Sequence, residues 1–112
     1  MKKTLLLNDE PMLQLALGLV LEKVKTELVH VPDEKRLFAA LTPDTAAVVI
    51  DLGTHGIDVA TAANRIHAEA PRAALILFGG GDSPPAVRYT FWTARPYDDR
   101  EKIAAAVTAA NQ

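Results

Sequence analysis

Residues 46 to 50, Ala-Ala-Val-Val-Ile, form an uninterrupted apolar run that stops on an acid, Asp51. A strand with one wet face alternates apolar and polar side chains. A run with no alternation needs cover on both faces, which is the position of a central strand in a parallel sheet. That single feature constrains the rest of the chain, because parallel neighbours are joined by crossovers long enough to hold a helix. The flanking sequence supplies them. Residues 3–7 (KTLLL) read as a strand, and 11–25 as a helix with Leu13, Leu17, Val20 and Val24 at helical spacing and Pro11 in its first turn. Residues 27–31 (ELVHV) alternate as an edge strand does, and 33–41 form a short helix with Asp33 as N-cap. After the central run, 57–70 place Val59, Ala62, Ala63, Ile66 and Ala70 on one helical face, and Pro71 closes that helix. Residues 73–78 (AALILF) are a second buried strand, 79–88 (GGGDSPPAVR) have loop composition, 89–94 (YTFWTA) have strand propensity, and 98–110 form a last helix. In that helix Ile103, Ala106, Val107 and Ala110 share a face behind cap-like acids. Five strands alternating with four or five helices describe an α/β fold, a doubly wound five-stranded parallel sheet.

A chain of 112 residues with 49% hydrophobic side chains is long enough for one core and too short for two, so residues 1–112 are expected to be a single domain. A net charge of −2 argues against nucleic acid as a partner, which calls for a basic stripe. The absence of cysteine removes disulfides, thiolate metal sites and Cys nucleophiles, and makes a cytoplasmic location the expectation. The opening MKKTLLLNDEP starts as a signal peptide does, but its apolar run is cut off by Asn8, Asp9 and Glu10, and no segment suits a membrane span.

In a doubly wound sheet, ligands bind outside the carboxyl ends of the strands. The residues that fall there are Asn8, Asp9 and Glu10 after the first strand, Asp51 after the third, Gly79 after the fourth and Arg95 after the fifth. Each has a bland alternative: an Asp after a strand turns the chain, acids favour a helix start, and an Arg before Pro sits on the surface. Their convergence on one edge favours chemistry. Carboxylates brought together repel unless a cation lies between them, and oxygen ligands of this kind suit Mg²⁺. The histidines at 30, 55 and 67 form no triad with Ser83 or an acid.

These residues also carry a family resemblance. LLLNDEP (5–11) resembles the acidic pocket that opens response-regulator receiver domains, VVIDLGTHG (48–56) their phosphoacceptor strand and loop, and ARPY (94–97) the place of their Lys-Pro pair and following aromatic. The similarity spans essentially the whole chain and implies a flavodoxin-like receiver fold. It implies that Asp51 accepts a phosphoryl group, that Asp9 with Asn8 anchors Mg²⁺, that the Gly53 backbone carbonyl and Asp51 complete the protein ligands, and that Arg95 is the pocket's cation. It further implies a non-enzymatic signalling module whose partner is a histidine kinase or a histidine-phosphotransfer protein.

The departures from that pattern are specific. Asn8 stands for the first of two acids, which weakens metal affinity. Gly79 stands where receivers carry a Thr or Ser whose hydroxyl bonds the phosphoryl group, so the relay to a switch aromatic, here Trp92, lacks one end. Arg95 replaces Lys with a bulkier, planar cation, expected to pair with Asp51. His55 stands where Pro is usual. The stretch from Gly79 to Arg95 is short by ~6 residues, more than one helical turn, and contains Pro84 and Pro85, so the fourth helix is expected to be shortened or missing. The leading expectation is therefore an atypical receiver in two-component or phosphorelay signalling. The alternative is a pseudo-receiver that serves phosphorylation-independent protein contacts. A small enzyme using GGGD (79–82) as an anion loop is disfavoured, since no Walker lysine or G-x-G-x-x-G is present. Beyond the stripe that faces the sheet, the first helix carries Met12, Leu15 and Leu19; Leu15 and Leu19 are expected to line a protein contact, with such a partner or in a homodimer.

Overall fold

A computed structural model describes all residues from Met1 to Gln112. Five parallel strands, β1 (Lys3–Leu7), β2 (Glu27–Val31), β3 (Thr45–Asp51), β4 (Ala74–Phe78) and β5 (Phe91–Thr93), lie in the order β2-β1-β3-β4-β5. The expected doubly wound, flavodoxin-like sheet is formed. The β3 run is buried at every position from Thr45 to Asp51, as its lack of alternation requires.

Four helices cover the sheet: α1 (Pro11–Leu21), α2 (Glu34–Ala40), α3 (Val59–Glu69) and α4 (Arg100–Ala110). Strand side chains alternate between two cores. Leu5, Leu7, Val48, Ile50, Leu75 and Leu77 meet α2 and α3 through Leu37, Ala62, Ala63 and Ile66. Leu6, Ala47, Val49, Ile76 and Phe78 meet α1 and α4 through Leu13, Leu17, Val20, Leu21, Ile103 and Val107. The crossover from β4 to β5 contains no helix. Where a helix would close the first core, Val87 and Trp92 pack against it instead. Two prolines and a run of glycines leave no stretch of this segment able to hold successive i→i−4 bonds.

Several boundaries differ from the sequence reading. The first helix stops at Leu21, not residue 25: β2 must start beside β1, with Glu27 N–H donating to the Lys2 carbonyl (2.8 Å), so residues 22–26 turn, although Val24 still packs on the core. α4 starts at Arg100 rather than residue 98, because Asp99 gives its carboxylate to the Thr93 hydroxyl instead of capping the helix. The fifth strand is three residues long rather than six. Ahead of it Thr90 accepts from Leu75 N–H through its hydroxyl and donates its own N–H to the Leu75 carbonyl, so the pairing is made partly by a side chain. Asp33 does cap α2, accepting from Arg36 N–H at 2.8 Å.

Candidate functional site at the carboxyl edge of the sheet

β3 delivers Asp51 to the centre of the carboxyl edge, where it is 8% exposed. Each carboxylate oxygen accepts one hydrogen bond: Oδ1 from Gly53 N–H at 2.8 Å, Oδ2 from Asn8 Nδ2 at 3.1 Å. The first bond bends the chain sharply after the strand, so closely that a Cβ on Gly53 would stand 3.1 Å from Asp51 Oδ1. A side chain there would crowd the Asp51 carboxylate by a few tenths of an ångström. The Gly53 carbonyl accepts no backbone hydrogen bond.

β1 delivers the neighbouring polar residues. Asn8 is buried, and its Oδ1 accepts from Glu10 N–H at 2.7 Å while its Nδ2 serves Asp51, so both ends of the amide are engaged. Glu10 caps α1, its carboxylate accepting from Met12 N–H (3.2 Å) and Leu13 N–H (2.7 Å). Asp9 is exposed and accepts from His55 N–H at 3.0 Å, joining the β1 loop to the β3 loop. The His55 ring stays at the surface.

Burial raises the Asp51 carboxyl above the ordinary carboxylate range; the Gly53 N–H opposes this, and the charges of Asp9 and Glu10 add to it. Glu10 is held below the usual range, first by the Leu13 N–H. The acids thus face one another with different proton affinities, set by how many donors each has and how dry it is.

On the other side of Asp51 the edge is sparse. Gly79 has φ +80°, and a Cβ there would lie 3.7 Å from Asp51 Oδ1, so a side chain at this position would point at the carboxylate, and none is present. Gly80, with φ +79°, lies so close to Leu52 that a Cβ would come within 3.0 Å of its Cδ1. Trp92 reaches over from β5, its Nε1–H donating to the Gly79 carbonyl at 3.1 Å.

The expected pair between Arg95 and Asp51 is not formed. Arg95 is exposed and bonds to no carboxylate; its backbone N–H donates to the Thr93 hydroxyl at 3.0 Å. A hydrated guanidinium gains little from freezing a long side chain against a carboxylate already held by two donors. The residue the sequence reading missed is Tyr97, whose hydroxyl donates to Glu10 Oε2 at 3.1 Å across the mouth of the edge. Its position was visible in ARPY, but nothing in the sequence pointed its hydroxyl at Glu10.

No group of three or more His, Cys, Asp or Glu side chains is clustered for a metal. The donors that fit a hard cation here are the Asp9 and Asp51 carboxylates and the free Gly53 carbonyl, a set that suits Mg²⁺ keeping several waters. Burial is the main reason Asp51 is raised, and the like charges of Asp9 and Glu10 add to it; a cation beside them would offset that smaller part. None of the three cavities in the molecule is lined by Asp51 or by Gly79 to Asp82.

No family model matches the sequence, and no curated protein matches it. Solved structures do. The chain is similar to the signal receiver domain of an HD domain-containing protein from Pseudomonas fluorescens Pf-5, with TM-score 0.80, 18% identity, and 98% of this chain and 94% of that one covered. It is similar to the receiver domain of sensor histidine kinase PA1611 from Pseudomonas aeruginosa PAO1, which has a magnesium ion coordinated in its active site cleft (TM-score 0.77, 16% identity, 100% of both chains). The Mn²⁺-bound form of response regulator Rcp1 matches with TM-score 0.73 and 17% identity over 97% of this chain and 91% of that one. With the strand order, the Asp51 edge and these likenesses together, the chain has the fold of response-regulator receiver domains.

Proposed function

We propose that this chain is an atypical receiver module of a two-component or phosphorelay system, in which Asp51 accepts a phosphoryl group from a histidine kinase or a histidine-phosphotransfer protein. The observation that carries the reading is the carboxylate itself: buried at the end of the central strand, held by one N–H on each oxygen, and left with unused lone pairs at an open edge. In the transfer, an Asp51 oxygen forms a bond to phosphorus as the bond from phosphorus to the donor's imidazole nitrogen breaks. The electron pair leaves with the ring. Gly53 N–H and Asn8 Nδ2 orient the nucleophile. Mg²⁺ held by Asp9, Asp51 and the Gly53 carbonyl would supply positive charge opposite the incoming phosphoryl oxygens. In this reading the chain is a signalling module and not a turnover enzyme.

A second reading, a pseudo-receiver that makes constitutive protein contacts, is favoured by the other half of the edge. Position 79 has no hydroxyl, and Trp92 is already bonded to the Gly79 carbonyl. Intact mass spectrometry after incubation with Mg²⁺ and either a small acyl-phosphate donor or a phosphorylated histidine-phosphotransfer domain separates the two. A one-phosphate adduct is expected on the wild type and absent from Asp51→Asn. No adduct with either donor would leave the constitutive module as the function.

A further inference from the structure

We infer that His55 is a ligand to the cation held at the Asp51 edge, and that its imidazole turns the site's preference from Mg²⁺ towards a divalent transition metal. The inference rests on the reading that Asp9 and Asp51 hold a cation; it does not rest on phosphoryl transfer. Two of the oxygen-bearing side chains at this edge are already engaged. Asn8 gives its oxygen to Glu10 N–H and turns Nδ2, a donor, towards Asp51. Both Glu10 oxygens accept hydrogen bonds, Oε1 from Met12 N–H and Oε2 from Leu13 N–H and the Tyr97 hydroxyl. Two carboxylates and the Gly53 carbonyl are left, few oxygens for a hard cation with about six places to fill.

His55 stands beside this set with a fixed root and an unheld ring. Its N–H donates to Asp9 Oδ2 at 3.0 Å, which puts its Cα within about 4.5 Å of that oxygen. The loop that leads to it is tied to Asp51 twice, by Gly53 N–H on Oδ1 and by Thr54 N–H on the backbone carbonyl. The other two histidines use their rings: His30 Nδ1 is bonded to Gln14 Nε2, and His67 Nε2 to the Arg88 carbonyl. The exposed His55 ring bonds to nothing, so its nitrogen lone pair is free for a metal. Turning about its two side-chain torsions brings a ring nitrogen and an Asp9 oxygen onto one ion, about 2.0–2.2 Å from each. No three such groups are gathered without an ion, and the ion's charge is what draws the ring in. Imidazole then discriminates between metals. It strengthens the hold on Ni²⁺ or Zn²⁺ far more than on Mg²⁺, which suits carboxylate, carbonyl and water oxygens.

Pulsed electron paramagnetic resonance of the full chain loaded with Mn²⁺ tests the ligation, and calorimetric titration with Ni²⁺ and with Mg²⁺ tests the preference. Nitrogen hyperfine coupling from a directly bound imidazole is expected in the wild type, in His30→Gln and in His67→Gln, and is expected to vanish in His55→Gln. Ni²⁺ affinity should fall about tenfold or more in His55→Gln, and Mg²⁺ affinity by less than about twofold. The ring is exposed and unbonded, so this variant should keep the wild-type urea midpoint, and a purely structural role would move both metals alike. Mn²⁺ that is lost in Asp9→Asn but shows no nitrogen coupling overturns the inference and leaves the cation reading in place, as does an equal fall for both metals. Ni²⁺ affinity unchanged in Asp9→Asn puts that ion on a surface histidine and overturns it too. If neither Mg²⁺ nor Ni²⁺ binds, the inference falls together with the cation reading.

Discussion

The two halves of the carboxyl edge are built differently. On the β1 and β3 side, Asn8 and Gly53 bond to Asp51, Glu10 N–H bonds to Asn8, and Asp9 and His55 bond to each other. On the β4 and β5 side, Gly79 is the residue beside the carboxylate, the crossover holds no helix and Arg95 is exposed; Gly79 itself is held by its N–H to the Thr93 carbonyl and by the Trp92 indole on its own carbonyl. Under the proposed function, the half that would receive a group is dense and pre-organised, while the half that would transmit its arrival is sparse. Reception needs fixed donors around one atom; transmission needs an element with two arrangements and a reason to leave the first. Here the crossover before β5 holds no helix to serve as that element, and the proposed phosphoryl-accepting receiver and the phosphorylation-independent contact module are two readings of the same edge.

The largest expected effect comes from altering the dense half. Asn8→Asp removes the amide donor on Asp51 Oδ2 and adds a carboxylate beside three others. The variant is expected to be less stable by about 2 kcal/mol at neutral pH without metal, and to recover most of that with Mg²⁺, which it should bind more tightly than the wild type. The pH dependence has a definite sign. Asp51 is raised in the folded state, so the folded chain holds its proton more tightly than the unfolded chain does. Its contribution to stability is full below the unfolded carboxyl value of about 3.9 and is lost as pH rises through the higher folded value. Asn8→Asp should extend that loss to higher pH. Urea unfolding across the acid range, with and without Mg²⁺, reads both effects; a metal-free variant as stable as wild type would show that repulsion does not govern this half.

A smaller effect is expected on the sparse side. Trp92→Phe keeps the ring and removes the donor to the Gly79 carbonyl, at a cost of about 1 kcal/mol. Hydrogen exchange should quicken in residues 79–90 and stay unchanged at Gly53 and His55. Equal acceleration at those two amides would show that the halves move together and would restore a coupled edge.

How much of this was legible in the sequence depended on whether a residue answers to the chain or to its neighbours in space. The unbroken run of β3 and the acid at its end specify a central strand and an edge carboxylate without outside help, because strand burial on both faces leaves no other pattern. That the β4–β5 crossover holds a shortened helix or none was equally readable from Pro84, Pro85 and the glycines, and the structure has none. Val24 was not: it keeps helical spacing, but the need to bring Glu27 beside Lys2 ends α1 three residues earlier, a tertiary demand that propensity does not carry. Tyr97 and Glu10 are 87 residues apart, and their bond exists only because β5 and β1 open on the same edge. Asn8 is expected from the resemblance to help anchor Mg²⁺; that its amide spans Asp51 and Glu10 is set by the fold and carries no sequence signal.

Arg95 gives the smallest expected effect and the cleanest test of where one half ends and the other begins. Its type and position in ARPY argued for an ion pair with Asp51, and had that pair formed, its removal would free the carboxylate and tighten Mg²⁺. In the structure the guanidinium stands in solvent, while both Asp51 oxygens are held by Gly53 and Asn8. Salt screens an exposed charge that lacks a fixed partner, so Arg95→Ala should change stability by less than about 0.5 kcal/mol. It should also change Mg²⁺ affinity, followed by NMR shifts at Asp9 and Asp51, by less than about twofold, since one RT is already a factor near three. The phosphoryl adduct is the place for Arg95 to matter, because new negative charge at Asp51 would give the guanidinium a partner it does not now have. Faster loss of the adduct in Arg95→Ala, with metal binding unmoved, would assign Arg95 to the charged state alone. A several-fold change in metal affinity of the unmodified protein would put Arg95 back among the residues that hold Asp51 and close the distinction between the two halves.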